Sequence, residues 1–313
     1  SWLRSVRIDS TNGSDGLNAI VPYTSPTYYQ VRPTIAVPAN EAIHLTASRA
    51  LHPALQPLES IWNAGKLAIV EGVGYPNMNL SHFRGTDIWF SGSAEDVIWE
   101  TGWLARYLET MFPDFPTLLP EAPFGLQQAS NHRIPLQGNR ALTGIVVDDP
   151  SSFYYLVNES YPGGYTDALP NTRGGAELGF MRDLDRITFD YAAAIQAAAD
   201  AGQTTVTYPG TYLGSQLQIV AKLLSGGLKT PVFLCTEGSF DTHAYQATLQ
   251  ADLLASVGQS IAAFWTDMAA QGFGDKVCIM TTSEFGRRVE ENGSYGTDHG
   301  TAAPHLIISA AAN

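Results

Sequence analysis

Short apolar runs separated by segments of helical period constrain this chain more than any other feature. Leu67-Ala-Ile-Val70, Gly144-Ile-Val-Val147, Val232-Phe-Leu-Cys235, Val277-Cys-Ile-Met280 and Leu306-Ile-Ile308 are each too short for a buried helix and read as strands covered on both faces. Between two of them, Leu213, Leu217, Val220, Ala221 and Leu224 keep helical spacing and stop at Gly226-Gly227, after which Thr230-Pro231 opens the next strand. A second helix is expected from about His243 to Ala270, with Leu249, Leu253, Val257, Ile261 and Phe264 as its inward stripe. Strand, helix, strand repeated in this way implies an α/β fold: a mainly parallel sheet, connected right-handed, with helices on both faces.

Residues 85–182 break that rhythm. They are rich in Pro, Gly and aromatic side chains, with Pro113, Pro116, Pro120 and Pro123 closely spaced, and are expected to form an irregular insertion or cap. At 313 residues and 44% hydrophobic content the chain can bury a full core, and residues 1–313 are expected to form one α/β domain. Seventeen basic against 30 acidic residues leave a net charge of −13, which disfavours nucleic acid and anionic membrane surfaces and favours cations. No apolar stretch is long enough to span a bilayer, so an integral membrane protein is not expected, and Ser1 to Asp9 lack a signal-peptide pattern. Cys235 and Cys278 each sit within an apolar run and read as small core residues.

Polar residues gather where strands should end, the place at which open α/β sheets meet their ligands. Four stretches stand out: Gly13-Ser-Asp15-Gly-Leu-Asn18, Gly72 to Arg84 with Ser81 and His82, Gly238-Ser-Phe-Asp241-Thr-His243, and Thr282 to Arg288 continuing to Asp298-His299. Carboxylates and imidazoles at adjacent strand ends repel one another or lose solvation unless a divalent cation neutralises them. Mixed Asp, Glu and His donors suit zinc, manganese or iron, and such an ion activates a hydroxyl. Each residue also has a plainer reading. Asp15 between glycines fits a turn, Ser81 a helix N-cap, Asp241 and His243 the cap of the following helix, and Glu284 a salt bridge to Arg287 or Arg288. Three of the seven histidines nevertheless fall in these stretches.

The same stretches resemble a bacterial family known as domain of unknown function number fifteen hundred and one. The likeness is carried by Asp15-Gly-Leu-Asn-Ala-Ile-Val-Pro22, Gly72-Val-Gly-Tyr-Pro-Asn77, Ser81-His-Phe-Arg84, Phe240-Asp-Thr-His243, Ser283-Glu-Phe-Gly-Arg-Arg288 and Gly296-Thr-Asp-His-Gly-Thr301. That family is assigned to the alkaline-phosphatase-like superfamily and is exported, commonly on a twin-arginine leader. The resemblance therefore implies a periplasmic or secreted protein, with Ser81 at the nucleophile position and Asp15, Asp241, His243, Glu284 and His299 as metal ligands. It implies one or two divalent ions, zinc or manganese. Phe285 stands where superfamily phosphatases have a histidine, which points towards one ion or none, Ser239 replaces a glycine, and the family continues beyond the last residues of this chain.

The function implied is metal-dependent hydrolysis of a phosphate or sulfate ester, or a related transfer. Ser81, His82, Arg84 and Arg287 form the expected catalytic group, the arginines holding an anionic substrate. The alternative is an exported binding or assembly protein that keeps the fold with a degenerate site. A serine hydrolase or nucleotide-binding protein is disfavoured, since G-x-S-x-G, G-x-G-x-x-G and G-x-x-x-x-G-K-[ST] do not occur.

Overall fold

At the centre of the main sheet lies β1 (Arg4–Ser10), a strand that the apolar-run criterion does not find. Only Val6 and Ile8 carry apolar side chains into the core, while Arg7 and Asp9 on the other face pair with one another at 2.8 Å. The strand thus reads as alternation rather than as a run. The computed structural model describes residues 3–128, 134–160 and 164–312; Ser1 and Trp2, and parts of the expected cap, lie outside them.

After β1 come α1 (Gly16–Ala19), β2 (Ile20–Val21), α2 (Pro26–Val31), β3 (Ile43–His44) and β4 (Ala50–Leu51), with β2, β4 and β3 forming a small antiparallel sheet. The chain continues through α3 (Glu59–Asn63), β5 (Leu67–Val73), α4 (His82–Ser91), α5 (Trp103–Met111), β6 (Gly125–Gln127), β7 (Gly144–Val146), α6 (Pro150–Ser160) and α7 (Arg173–Ala201). It ends with α8 (Tyr212–Ser225), β8 (Val232–Glu237), α9 (Gln246–Ala270), β9 (Val277–Thr282) and β10 (Ala303–Ser309). Among the described residues the main sheet has seven strands in the order β5-β10-β9-β1-β8-β6-β7.

All five expected strands are present, and the sheet is mainly parallel with helices on both faces. One strand departs from expectation: β10, built on Leu306, runs antiparallel to both β5 and β9. The segment from Ser283 to Ala302 contains no helix, so it cannot make the crossover a parallel neighbour would need and returns β10 beside β9 as a hairpin partner. Part of segment 85–182 also belongs to the sheet, since β6 pairs in parallel with β8 and β7.

Alternate residues of each strand serve different layers. Phe233 and Cys235 join the large cluster with Leu217 and Val220 of α8 and Val257, Ile261 and Phe264 of α9. Leu234 faces the other way, towards Leu104 and Leu108 of α5 and Phe124. Helix α8 spans the residues expected of it. Helix α9 differs at its start: it begins at Gln246, with Tyr245 as N-cap at φ 49°, so His243 precedes the helix. Its buried stripe is also rotated by one position at the N-terminal end, running through Gln246, Gln250, Leu254, Val257, Ile261, Phe264 and Met268, with Leu249 exposed beside it. Cys235 is buried, Cys278 half-buried, and both thiols are free.

Candidate functional site

Because β1, β8 and β9 are adjacent and parallel, their outgoing loops open on the same edge. The loop after β8 carries Asp241 and His243, the turn after β9 carries Glu284 and Arg287, and the return to β10 carries Asp298 and His299. The connection after β5 ends at α4, whose first residue is His82.

Asp241 is the hub. Its Oδ1 lies 2.9 Å from His243 Nε2, 3.0 Å from His299 Nε2 and 3.4 Å from His82 Nε2, and Arg287 Nη2 donates to it at 2.6 Å. The two nitrogens of His243 and His299 are 3.1 Å apart. His82, Asp241 and His299 offer donor atoms that all lie within 4.8 Å of one another. Partial burial by itself would raise the Asp241 carboxyl, but the Arg287 and His299 hydrogen bonds outweigh it and hold the group at about 2.

The outer nitrogen of every imidazole faces an acceptor. His82 Nδ1 is 2.8 Å from Glu284 Oε1, His299 Nδ1 is 2.7 Å from the Leu80 carbonyl, and His243 Nδ1 is 3.2 Å from Asp298 Oδ1. Hydrogen bonds from Asn292 and His243 hold the Asp298 carboxyl below its ordinary value, so it is an ionised acceptor. Each Nε2 faces the Asp241 oxygen, and with the ring proton on Nδ1 each would present a lone pair there, the form in which imidazole binds a metal. Three Nε2 atoms and a carboxylate oxygen therefore converge, and the buried His82 Nε2 has no hydrogen-bond partner.

The structure sorts the expected site residues. His82, Asp241, His243, Glu284 and His299 form one connected group, but not in the roles expected. Glu284 is 5% exposed and is spent on His82 Nδ1 and on the Asn12 backbone N–H at 2.9 Å, so it braces a histidine rather than facing the centre. His82, expected among the catalytic residues, supplies the donor instead. Asp15 stands apart: it caps α1 through Leu17 N and forms a two-pronged pair with Arg32 at 2.6 and 3.0 Å, both side chains being almost fully buried. With both oxygens engaged, it is a structural anchor and not part of the cluster.

The arginines are likewise committed. Arg84 Nη2 donates to the carbonyls of Ala94, Glu95 and Val97, which fastens the loop after α4. Arg287, its side chain fully buried, donates to the carbonyls of Asn12, Gly13, Phe240 and Thr297 as well as to Asp241. It ties three loops together and fixes the hub, with no donor left for an incoming anion. Ser81 is the N-cap of α4 without a side-chain cap bond, and its hydroxyl is exposed between Leu80 and His82, both of which reach the cluster. Phe285 wedges its buried ring 4.8 Å from the rings of His82 and His299.

Sequence reasoning missed two contributors. Asp298 orients His243, and Asn292 holds Asp298 at 3.1 Å. The adjacency of Asp298 to His299 was the available signal for the first; the second lies in Glu291-Asn-Gly-Ser294, a run that shares in the family resemblance without indicating this contact.

Residues 195–311 match the family model described as "Protein of unknown function (DUF1501)", so the resemblance drawn from the motifs holds over that stretch. No curated protein matches the chain. Among solved structures it is similar to the C-terminal periplasmic domain of EcEptC from Escherichia coli in complex with Zn, at 9% identity and a TM-score of 0.44, covering 100% of this chain and 74% of that one. It is also similar to alkaline phosphatase from the Antarctic bacterium TAB5, at 12% identity and a TM-score of 0.39, over 100% and 93% of the two chains. A third is Ps i-CgsB in complex with k-i-k-neocarrahexaose, at 9% identity and a TM-score of 0.38, over 99% and 66%. Among the described residues no helix is long and apolar enough to cross a membrane.

Proposed function

We propose that this chain is a hydrolase or transferase of phosphate or sulfate esters that works with a single divalent ion, zinc or manganese. The observation that carries this reading is the convergence of three histidine Nε2 atoms on one carboxylate oxygen, with an acceptor behind each ring at Nδ1. With the ring protons on Nδ1, that arrangement is repulsive unless a cation sits at the centre. The donor atoms are 2.9 to 3.4 Å from Asp241 Oδ1, and tetrahedral ligands with bonds of about 2 Å stand about 3.3 Å apart. His82, Asp241, His243 and His299 would hold the ion. When bound, it would lower the pKa of a neighbouring hydroxyl and offset charge on an ester oxygen.

The remaining roles fall to groups whose positions are fixed. Glu284, Asp298 and the Leu80 carbonyl keep the three rings in one tautomer, as outer partners of metal-bound histidines do. Arg287 keeps Asp241 ionised. The Ser81 hydroxyl is the candidate nucleophile, exposed at the N-terminus of α4 where backbone N–H groups favour an anionic ester. We read residues 1–313 as one domain with an insertion at about 85–182, and its place as periplasmic or secreted.

A second reading is favoured by Arg287, whose donors go to four backbone carbonyls and Asp241, and by Arg84 Nη2, which is spent on three carbonyls, so that the expected clamp on an anion is depleted. It is an exported binding or assembly protein that kept the metal site and lost turnover. One experiment separates the two. Protein purified without chelator should contain about one equivalent of metal, lost in His299→Ala, and should turn over an aryl phosphate, phosphodiester or sulfate. Ser81→Ala should abolish that turnover with little change in stability, because a lost cap costs about 1 kcal/mol. Metal without turnover selects the second reading; absence of metal, or its full retention in His299→Ala, refutes both.

A further inference from the structure

The two faces of the main sheet are covered differently. Val6, Ile8, Phe233 and Ile279 face the large cluster and are completely buried. On the other face a cavity of about 680 Å3 lies between α5 and strands β1, β8 and β9, with Leu104, Leu108, Met111, Phe124 and Leu234 in its wall. A second cavity of about 540 Å3 lies between α4 and strands β5, β9 and β10, beside Trp89 and Ile307. Arg7, Trp103 and Met280 line both, so the two meet around one guanidinium. Each is within the range of about 300 to 1,000 Å3 that small-molecule sites occupy.

Three buried polar atoms of residues lining the second cavity have no hydrogen-bond partner: Arg7 Nη2, Ser93 Oγ and His305 Nε2. Their residues are 4%, 8% and 5% exposed. An orphaned buried donor costs about 1–3 kcal/mol, so three at one place mark a site waiting for an acceptor. Arg7 is held in place by Nε, which donates to Asp9 at 2.8 Å and Thr282 at 3.1 Å, and by the Phe90 ring 4.9 Å from its carbon centre. Burial, reinforced by the Arg7 charge, pushes His305 down to about 4, so its imidazole is neutral.

Charge points the same way. The protein carries −13, yet the Arg, Lys, Asp and Glu residues lining the two cavities are three cations, Arg4, Arg7 and Lys229, against the single carboxylate of Glu121. A monoanion fits better than a phosphate dianion, because Arg7 already shares its charge with Asp9 and a second full charge would be poorly compensated in so apolar a place. The wall of α5 from Trp103 to Met111 runs about 12 Å at 1.5 Å per residue, enough for a medium-length hydrocarbon chain.

We infer that this groove binds a single-chain carboxylic acid, its head group at Arg7, Ser93 and His305 and its hydrocarbon chain along α5. The site stands apart from the metal centre and does not depend on the proposed ester chemistry. The test is displacement of dansylaminoundecanoic acid from the full chain, followed by fluorescence, with chelator present so that the metal site plays no part. Dodecanoate should displace the probe stoichiometrically, at about tenfold lower concentration than dodecanol, as one charge-assisted hydrogen bond would give. The dodecyltrimethylammonium cation should not compete. Arg7→Met should weaken dodecanoate about tenfold and leave dodecanol unchanged. Since that substitution touches a buried pair, Tyr107→Glu supplies a second variant: this residue lines the groove along α5, is 56% exposed and should weaken acid and alcohol alike by setting a charge against the hydrocarbon chain without disturbing the fold. No saturable binding, equal affinity for acid and alcohol, or wild-type binding by Tyr107→Glu would overturn the inference.

Discussion

Replacing Asp15 by Asn tests the division between anchor and metal centre. The substitution preserves shape but removes the charge that faces Arg32, whose side chain is completely buried, and turns an amide donor towards a guanidinium that has only donors. Arg32 also donates to Asn18 Oδ1 at 2.8 Å and to the carbonyls of Arg288 and Val289 at 2.9 and 2.7 Å, so it cannot swing to solvent to recover its solvation. Removing one partner of a buried pair costs about 3–5 kcal/mol, a large part of the roughly 5–15 kcal/mol that holds a domain folded. For 313 residues, with an unfolding entropy of about 2.1 cal/mol/K per residue, 4 kcal/mol lowers Tm by about 6 °C. Thermal unfolding by circular dichroism reads that shift, and metal analysis on the folded protein should show content equal to wild type. The double variant Asp15→Leu, Arg32→Met should recover part of the loss, because it removes both charges together. An unchanged Tm with loss of metal would refute the reasoning and return Asp15 to the ligand set.

Two further outcomes follow from groups around the site and the sheet. Glu284→Gln should keep His82 in place, since the amide oxygen can still accept from Nδ1, yet weaken zinc about 10–100-fold in a competitive chelator titration, and an unchanged affinity would show that Glu284 does not brace a ligand. His305 should shape the acid limb of stability: burial lowers its folded value to about 4, so the unfolded chain binds the extra proton between about 6.5 and 4, and stability falls by about 3 kcal/mol as pH drops through that window. Urea titrations should show that slope flattened in His305→Leu, and an identical slope would remove His305 from the account.

The apolar strands were legible because burial on both faces writes itself as a run. The central strand was not, because Arg7 and Asp9 neutralise each other on the second face at 2.8 Å and free that strand from the need to be apolar. A period-2 reading of Val6 and Ile8 was the only local trace. The direction of β10 was hidden for a different reason: the apolar residues of a strand say that it is buried, not which way it runs, and the absence of a helix between Ser283 and Ala302 was the usable clue. The start of α9 was misplaced because Asp241 and His243 look like cap residues, whereas their side chains are drawn into the cluster and the cap passes to Tyr245.

The site was legible as a set of residue types and illegible as a set of roles, and the reason is geometric. A carboxylate and an imidazole can each serve as ligand or as brace, and which one faces the centre depends on what stands behind it. Glu284 and His82 are 202 positions apart, and their contact through Oε1 and Nδ1 decides that the histidine faces inward and the glutamate does not. Asp15 is removed from the centre by Arg32, 17 positions away, whose place in the same family-like opening does not itself say that the two side chains pair. Phe285 completes the logic. A histidine there would add a donor beside His82 and His299, whereas the phenyl ring packs against both and holds their planes without offering a lone pair. Among the described residues one group of donors converges, and it is centred on Asp241.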